Sequence, residues 1–242
     1  MRTSHIATSL SLFLLLMLAA CSKKYSWYQT TLVTVNTPNG PKSGSGTVKI
    51  QLAVTQKSPP TGGPLGWQFV GEGAVVDLGD GKFVFALLTR PKGGWQPDVV
   101  LRVAFQRAGI APYLRRNNAR EWHQKTTAYN EALELVPEEY PTLVAFKDIS
   151  KPSTIVELKS DSDFEMVFGP GYGVSGIELK ISSESEMNRK VSEVLPWLPD
   201  WPGAFSNFGK PCATACRGEG QYQPDPPFGD LINRLHFMRY RQ

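Results

Sequence analysis

The feature that most constrains the fold is a pair of β-patterned runs joined by a turn that suits little else. Residues Tyr25 to Asn36 are rich in Tyr, Trp, Thr, Val and Leu, with Leu32, Thr34 and Asn36 alternating against Thr31, Val33 and Val35. That period of two belongs to a strand with two different faces. Thr37-Pro38-Asn39-Gly40-Pro41 follows; Asn-Gly accepts positive φ, and the prolines cannot donate to a central ladder. Alternation resumes from Thr47 to Thr55, so the spacing predicts a hairpin. A Pro/Gly-rich connector from Ser58 to Gly66 separates it from a second hairpin, Ala74 to Leu78 and Phe83 to Leu88, closed by Gly79-Asp80-Gly81. Four strands are thus expected by residue 88.

Helical periodicity comes next. Pro97 suits a first turn, and Val99, Val100, Val103, Ala104 and Arg107 form one stripe before Gly109 stops it. A second helix is expected from about Asn118 to Val136, where Trp122, Thr126, Tyr129, Leu133 and Val136 recur at intervals of four and three before Pro137. Strand character returns at Thr142 to Phe146, Thr154 to Leu158 and Ile177 to Ile181. Ser183 with Glu186 reads as a capping box for a short helix through Met187, Val191 and Val194, ended by Pro196. Leu231 to Tyr240 fits either a final strand or a helical turn. Strands come in runs linked by tight turns rather than alternating with helices. The expected class is therefore α+β, a mainly antiparallel sheet with two or three helices on one face and a loop-rich C-terminal tail.

The start of the chain carries a different message. Arg2 gives a short basic beginning, Ile6 to Ala20 is apolar, and the run ends Leu18-Ala19-Ala20-Cys21. As a helix the apolar run rises only about 22 Å, short of the ~30 Å hydrocarbon core, so a permanent span is disfavoured. The pattern resembles the lipobox of bacterial lipoproteins. That resemblance implies that residues 1–20 are a signal peptide, that Cys21 becomes the acylated first residue, carrying palmitate-type chains, and that the chain faces the periplasm of the cell envelope. A single acyl chain binds marginally, at about 0.8 kcal/mol per buried methylene, and lipoprotein modification supplies several. Ser22 rather than Asp follows the cysteine, which by analogy with lipoprotein sorting in enterobacteria points to the outer membrane. The body also resembles small uncharacterised envelope proteins of proteobacteria at Thr37-Pro38-Asn39-Gly40-Pro41-Lys42-Ser43-Gly44, Val75-Val76-Asp77-Leu78-Gly79, Tyr140-Pro141-Thr142-Leu143-Val144-Ala145-Phe146 and Leu195-Pro196-Trp197-Leu198. This second likeness implies location and fold and brings no activity with it. The organisation expected is a leader over 1–20, an α+β envelope domain over 21–204 and a loop-rich tail over 205–242.

The chain holds 26 basic and 22 acidic residues, and only Arg2 among these lies before Cys21. A body so near neutrality lacks the dense basic stripe of a nucleic-acid binder. Its one local excess, Arg234, Arg239 and Arg241 beside His236, reads as solvated charge or as a weak attraction to anionic lipid head groups.

Most motifs with chemical meaning fail on inspection. The run Gly169 to Gly176 lacks the Gly-Lys-Ser/Thr ending of a phosphate loop and the G-x-S-x-G frame of a nucleophile elbow, so it reads as a bend between a strand near Phe168 and the one at Ile177. Asp161-Ser162-Asp163-Phe164-Glu165 begins like a calcium loop, but Met166 stands where glycine is needed and Tyr172 where the bidentate acid is needed. No H-E-x-x-H or S-x-x-K occurs, and neither metal nor cofactor is expected. His123 flanks an apolar seam and reads as a surface or satisfied polar residue rather than a catalytic base.

Two features remain. Cys212 and Cys216 are read first as a local disulfide, since an extracytoplasmic compartment favours one; free thiols, a redox site, or a metal site completed by His236 or an acid are the alternatives. In Leu195-Pro196-Trp197-Leu198-Pro199-Asp200-Trp201-Pro202, three prolines are expected to hold Trp197 and Trp201 in a stiff, extended arrangement. They would form a partner or ligand surface, or else cap the core. The leading expectation is a non-enzymatic, lipid-anchored protein that binds another envelope component, protein or glycan, or assists an envelope assembly. The alternative is an envelope hydrolase acting on cell-wall or polysaccharide material, with Asp77, Asp148 or Glu72 and His123 gathered in a cleft.

Overall fold

The computed structural model describes residues 23–55, 65–90, 96–182, 187–201 and 234–239. The first hairpin is long: β1 (Lys23–Asn36) and β2 (Lys42–Val54) pair antiparallel from Lys23 opposite Val54 to Val35 opposite Lys42. Its turn closes with the Gly40 N–H donating to the Thr37 carbonyl at 3.0 Å, Gly40 taking a φ of 100°.

The second hairpin, β4 (Ala74–Gly79) and β5 (Lys82–Ala86), also forms. Between the two hairpins lies a strand that the composition did not suggest, β3 (Leu65–Glu72), so five strands precede residue 88 rather than four. The later strands are β6 (Ala132–Glu134), β7 (Leu143–Phe146), β8 (Ile155–Glu157), β9 (Gly173–Ser182) and the two-residue β10 (Met238–Arg239). The helices are α1 (Gln96–Arg107), α2 (Ala119–Ala128), α3 (Asp161–Phe168), α4 (Lys190–Val194) and the single turn α5 (Arg234–Phe237). The end of the chain thus takes both forms left open for it.

The fold is α+β with antiparallel pairing throughout, its strands divided between a six-stranded sheet in the order β10-β3-β2-β1-β9-β6 and a four-stranded sheet in the order β4-β5-β7-β8. The inner face of the larger sheet buries Trp27, Val33, Ile50, Leu52, Phe69 and Ile177. Against it pack Val76 and Val84 of the smaller sheet, Leu101 and Phe105 of α1, Trp122 of α2, and Phe164 and Phe168 of α3. Three helices therefore cover one face. The smaller sheet is buried on both sides, since Val75, Phe85, Val144, Phe146 and Ile155 form a second core with Val191, Leu195, Leu198 and Phe237. This explains why Leu143-Val144-Ala145-Phe146 is apolar without alternation.

Several expected details are corrected. The α1 stripe is rotated: Val100 and Ala104 are buried as expected, but Leu101 and Phe105 complete the buried face, while Val103 is 46% exposed. α2 stops at Ala128 instead of Val136, because Tyr129 takes extended dihedrals and Ala132-Leu133-Glu134 then pairs with β9. Leu133 and Leu135 are buried by strand alternation, and Leu133 alone of the two also falls on the helical spacing. Phe168 ends α3 and is not in a strand. The last turn of α1 is tied down by a bidentate ion pair, Arg107 Nε and Nη2 each donating to Glu139 at 2.9 Å. Arg107 Nη2 also donates to the Glu134 carbonyl, and Glu139 holds the guanidinium pKa above its ordinary value.

The two sheets meet through bare backbone. β3 leaves the larger sheet and, through Glu72 and Gly73, becomes β4 of the smaller one, crossing β2 where β2 carries Gly44 and Gly46. A Cβ on Gly44 would fall on the Val75 carbonyl, and one on Gly46 on the Gly73 carbonyl, with only immovable main chain to yield. Gly46→Ala is accordingly expected to cost at least about 2 kcal/mol in denaturant unfolding. Gly176→Ala in β9, where an added Cβ meets nothing within 4 Å, should change stability by no more than about 0.5 kcal/mol. Equal effects would contradict the contact.

Candidate functional site

A surface groove of about 340 Å³ is lined by Asn36, Asp161, Glu165, Gly171, Tyr172, Gly173 and Val174. It forms where the end of β1 meets the start of β9, beside a register irregularity between Thr34 and Val35. α3 supplies its two acids. The Asp163 carboxylate accepts the Ser160 hydroxyl and the Lys159 and Ser160 N–H groups at 2.9 Å, which starts the helix at a fixed place and holds the Asp163 carboxyl below the usual range. Asp161 and Glu165, one turn apart, consequently share a helix face. A Cβ on Gly173 would sit 2.7 Å from Asp161 Oδ1, so the missing side chain makes room for that carboxylate. The Tyr172 ring is already engaged, with Phe168 5.6 Å away and Lys82 Nζ 5.5 Å from its centroid. The groove therefore offers two carboxylates and a carboxamide, a lining suited to hydrogen-bonded polar or cationic groups rather than to a stacked ring. Among the described residues no group of three or more His, Cys, Asp or Glu side chains is placed to hold a metal ion.

The acids and the histidine named from the sequence occupy separate places. Asp77 Oδ1 accepts the Gly79 N–H at 2.8 Å and shapes the β4–β5 turn. Asp148, after β7, accepts the Ser150 N–H and hydroxyl and pairs with Lys151 at 2.7 Å. Lys151 and then Ser150 lower its pKa to about 2. A carboxyl depressed in the folded state contributes stability above its unfolded value near 3.9 and loses that contribution as the pH falls through about 2. At neutral pH Asp148 is thus a carboxylate and has no proton to give as a general acid. His123 Nε2 lies 3.2 Å from the Ser26 carbonyl, an acceptor only, so that nitrogen carries the proton. The β1–β9 pairing ends at Tyr28 opposite Ser182; beyond it, His123 serves the strand's edge while its ring packs 5.1 Å from Tyr25 and 5.8 Å from Trp27.

Glu72 is the exception among these acids. It is 1% exposed, and its carboxylate accepts the Val191 N–H at 2.8 Å and the Ser192 hydroxyl. It fastens α4 to the crossing of the two sheets. A cavity of about 10 Å³ adjoins it, lined also by Thr31, Gly46, Gly73 and Pro141.

The tryptophan segment is turned rather than extended. The Leu198 N–H donates to the Leu195 carbonyl at 2.9 Å and the Trp201 N–H to the Leu198 carbonyl at 3.1 Å. Pro196 and Pro199 hold the second position of each turn, where a fixed φ favours folding back. Trp197 Nε1 donates to the Ile149 carbonyl at 3.0 Å, and its ring meets Phe146 at 5.8 Å and Trp201 at 5.7 Å, edge to face. Both half-buried rings pack on the second core. Cys21, Cys212, Cys216 and the Ser183–Glu186 capping box lie outside the described residues.

The sequence contained Asp161 and Glu165 within a failed calcium motif, but nothing local signalled that Asn36 would join them. No family model, curated protein or solved structure matches the chain. For Glu72, replacement by alanine is expected to lower stability by about 2–3 kcal/mol, since it strips buried donors of their acceptor. Glu72→Gln, which keeps a carbonyl oxygen, should lose less. Denaturant unfolding measures both, and an unchanged midpoint for Glu72→Ala would contradict the fastening role.

Proposed function

We propose that this is a lipid-anchored envelope protein, tethered through Cys21 in the outer membrane and facing the periplasm, that acts without catalysis as a binding or assembly accessory for another envelope component, protein or glycan. The observation that carries this reading is the course of one strand. β1 opens at Lys23, two residues after Cys21, and runs for 14 residues to Asn36, in the wall of the groove. At about 3.3 Å per residue, the strand sets roughly 40 Å between its two ends. An acylated Cys21 would hold the near end against the bilayer and present the groove away from it. Lys23 and Lys24, both exposed, would lie at the head groups, where a basic residue gains about 1 kcal/mol from anionic lipid. Among the described residues no helix is long and apolar enough to cross a membrane.

Asp161 and Glu165 favour a second reading, an envelope hydrolase, because they place two carboxylates in one groove. They stand side by side on a single helical turn, however, whereas glycosidic cleavage needs carboxylates flanking the bond from separate positions. Binding is the better-supported role.

Fractionation of cells expressing the full chain tests the proposal. The wild-type protein is expected in the membrane fraction, with an intact mass showing a diacyl or triacyl modification on Cys21. Cys21→Ser should shift it to the soluble fraction with that mass lost. An unmodified Cys21 in the wild-type protein would overturn the anchored reading.

A further inference from the structure

The core between β1 and α2 holds polar groups that apolar packing does not explain. Trp27, Gln29 and Thr126 have no exposed surface. Trp27 Nε1, both polar atoms of the Gln29 carboxamide and Thr126 Oγ1 have no hydrogen-bond partner among the described residues. Buried polar groups in folded proteins are nearly always satisfied, by protein or by enclosed water.

The topology brings these groups into one neighbourhood. Trp27 and Gln29 are successive inward residues of β1, Gln29 standing opposite Val48 and Ile181. α2 lies over that face, with Trp122 5.6 Å from Trp27 and His123 bonded to Ser26. Beyond α2 the chain enters β6, where Leu133 stands opposite Leu179, itself opposite Thr31. The helix packs on both β1 and β9, and Thr126 lies one turn after Trp122 on the same buried helix face that meets Trp27.

We infer that Trp27, Gln29 and Thr126 together form an internal binding site for ordered water between β1 and α2. The donor inventory fits. The indole only donates, whereas the carboxamide and the hydroxyl both donate and accept. One water accepts from Trp27 Nε1, donates to Gln29 Oε1 and takes up the Thr126 hydroxyl, the three bonds a buried water usually makes, and a second water accepts from Gln29 Nε2. A direct bond between Gln29 and Thr126 would leave the indole N–H unserved. The site gives α2 a second directional hold on the sheet, beside the bond from His123 to the Ser26 carbonyl, in a layer otherwise packed by apolar and aromatic contacts.

The near-isosteric substitutions Thr126→Val and Gln29→Met distinguish a hydrated site from unpaired groups by the sign of their effect. If water bridges the groups, each substitution leaves it short of partners, and the melting temperature falls by about 3 °C or more. The double variant then loses less than the sum of the two, because the first change already expels the shared water. Thr126→Ser, which keeps the hydroxyl, should melt closer to wild type than Thr126→Val. If the groups are simply unpaired, removing them leaves the melting temperature unchanged or raises it, and the inference fails. A crystal structure of the wild-type chain at about 1.5 Å or better reads the site directly. Density for a water within about 3.2 Å of Gln29 and Thr126 supports it, and a dry contact overturns it.

Discussion

Where β2 crosses the strand that passes from one sheet to the other, two backbones touch with no side chains between them. Facing sheets ordinarily stand about 10 Å apart, separated by their interdigitated side chains. At Gly44 and Gly46 that spacer is missing, and the Val75 and Gly73 carbonyls occupy its place. The contact lets one continuous strand serve both sheets, as β3 and then as β4, and so aims the inner faces of both at a single core. The helices and the second core are built on that geometry.

Glu72 sits in the same short crossing and gives it a second role. Its carboxylate takes the start of α4, while the C-terminal segment reaches the crossing from its other side: Gly73 donates to the Phe237 carbonyl at 2.8 Å, and Met238 pairs opposite Glu72. Residues distant in sequence thereby close the outer face of the smaller sheet, with Trp197 and Trp201 as part of the cover. In the proposed function the fold has polarity: one end of β1 adjoins the tether, and the other end forms the groove.

What the sequence disclosed is what short-range chemistry decides. The first hairpin was legible because Pro38-Asn39-Gly40 suits a turn, with Gly40 taking the positive φ, and the flanking alternation has one buried face; the second, because Gly79-Asp80-Gly81 admits the positive φ values its turn adopts, including 54° at Asp80. β3 was obscured by Gly66 and Gly71, which interrupt a run whose Leu65, Trp67 and Phe69 still alternate. The overlong second helix arose because Leu133, buried by a strand, and Val136 fell on helical spacing. Prolines 196 and 199 promised stiffness but not its direction, since the same φ serves an extended segment or a turn. Partnerships across long separations left no trace: Glu72 meets Val191 119 positions later, and Asn36 shares a groove with Asp161 only because β1 and β9 pair. The groove was therefore invisible in the sequence even though both its acids stand in one short run, Asp161 to Glu165.

Native-state hydrogen exchange distinguishes amides that open locally from those that open only when the whole molecule unfolds. If the bare backbone crossing is what the architecture depends on, the protected amides of β2 between Gly44 and Ile50 should exchange at the free energy of global unfolding, while those of α3 and β6 open at lower cost. Exchange of the β2 amides through a cheaper, local opening that leaves α3 and β6 protected would contradict it.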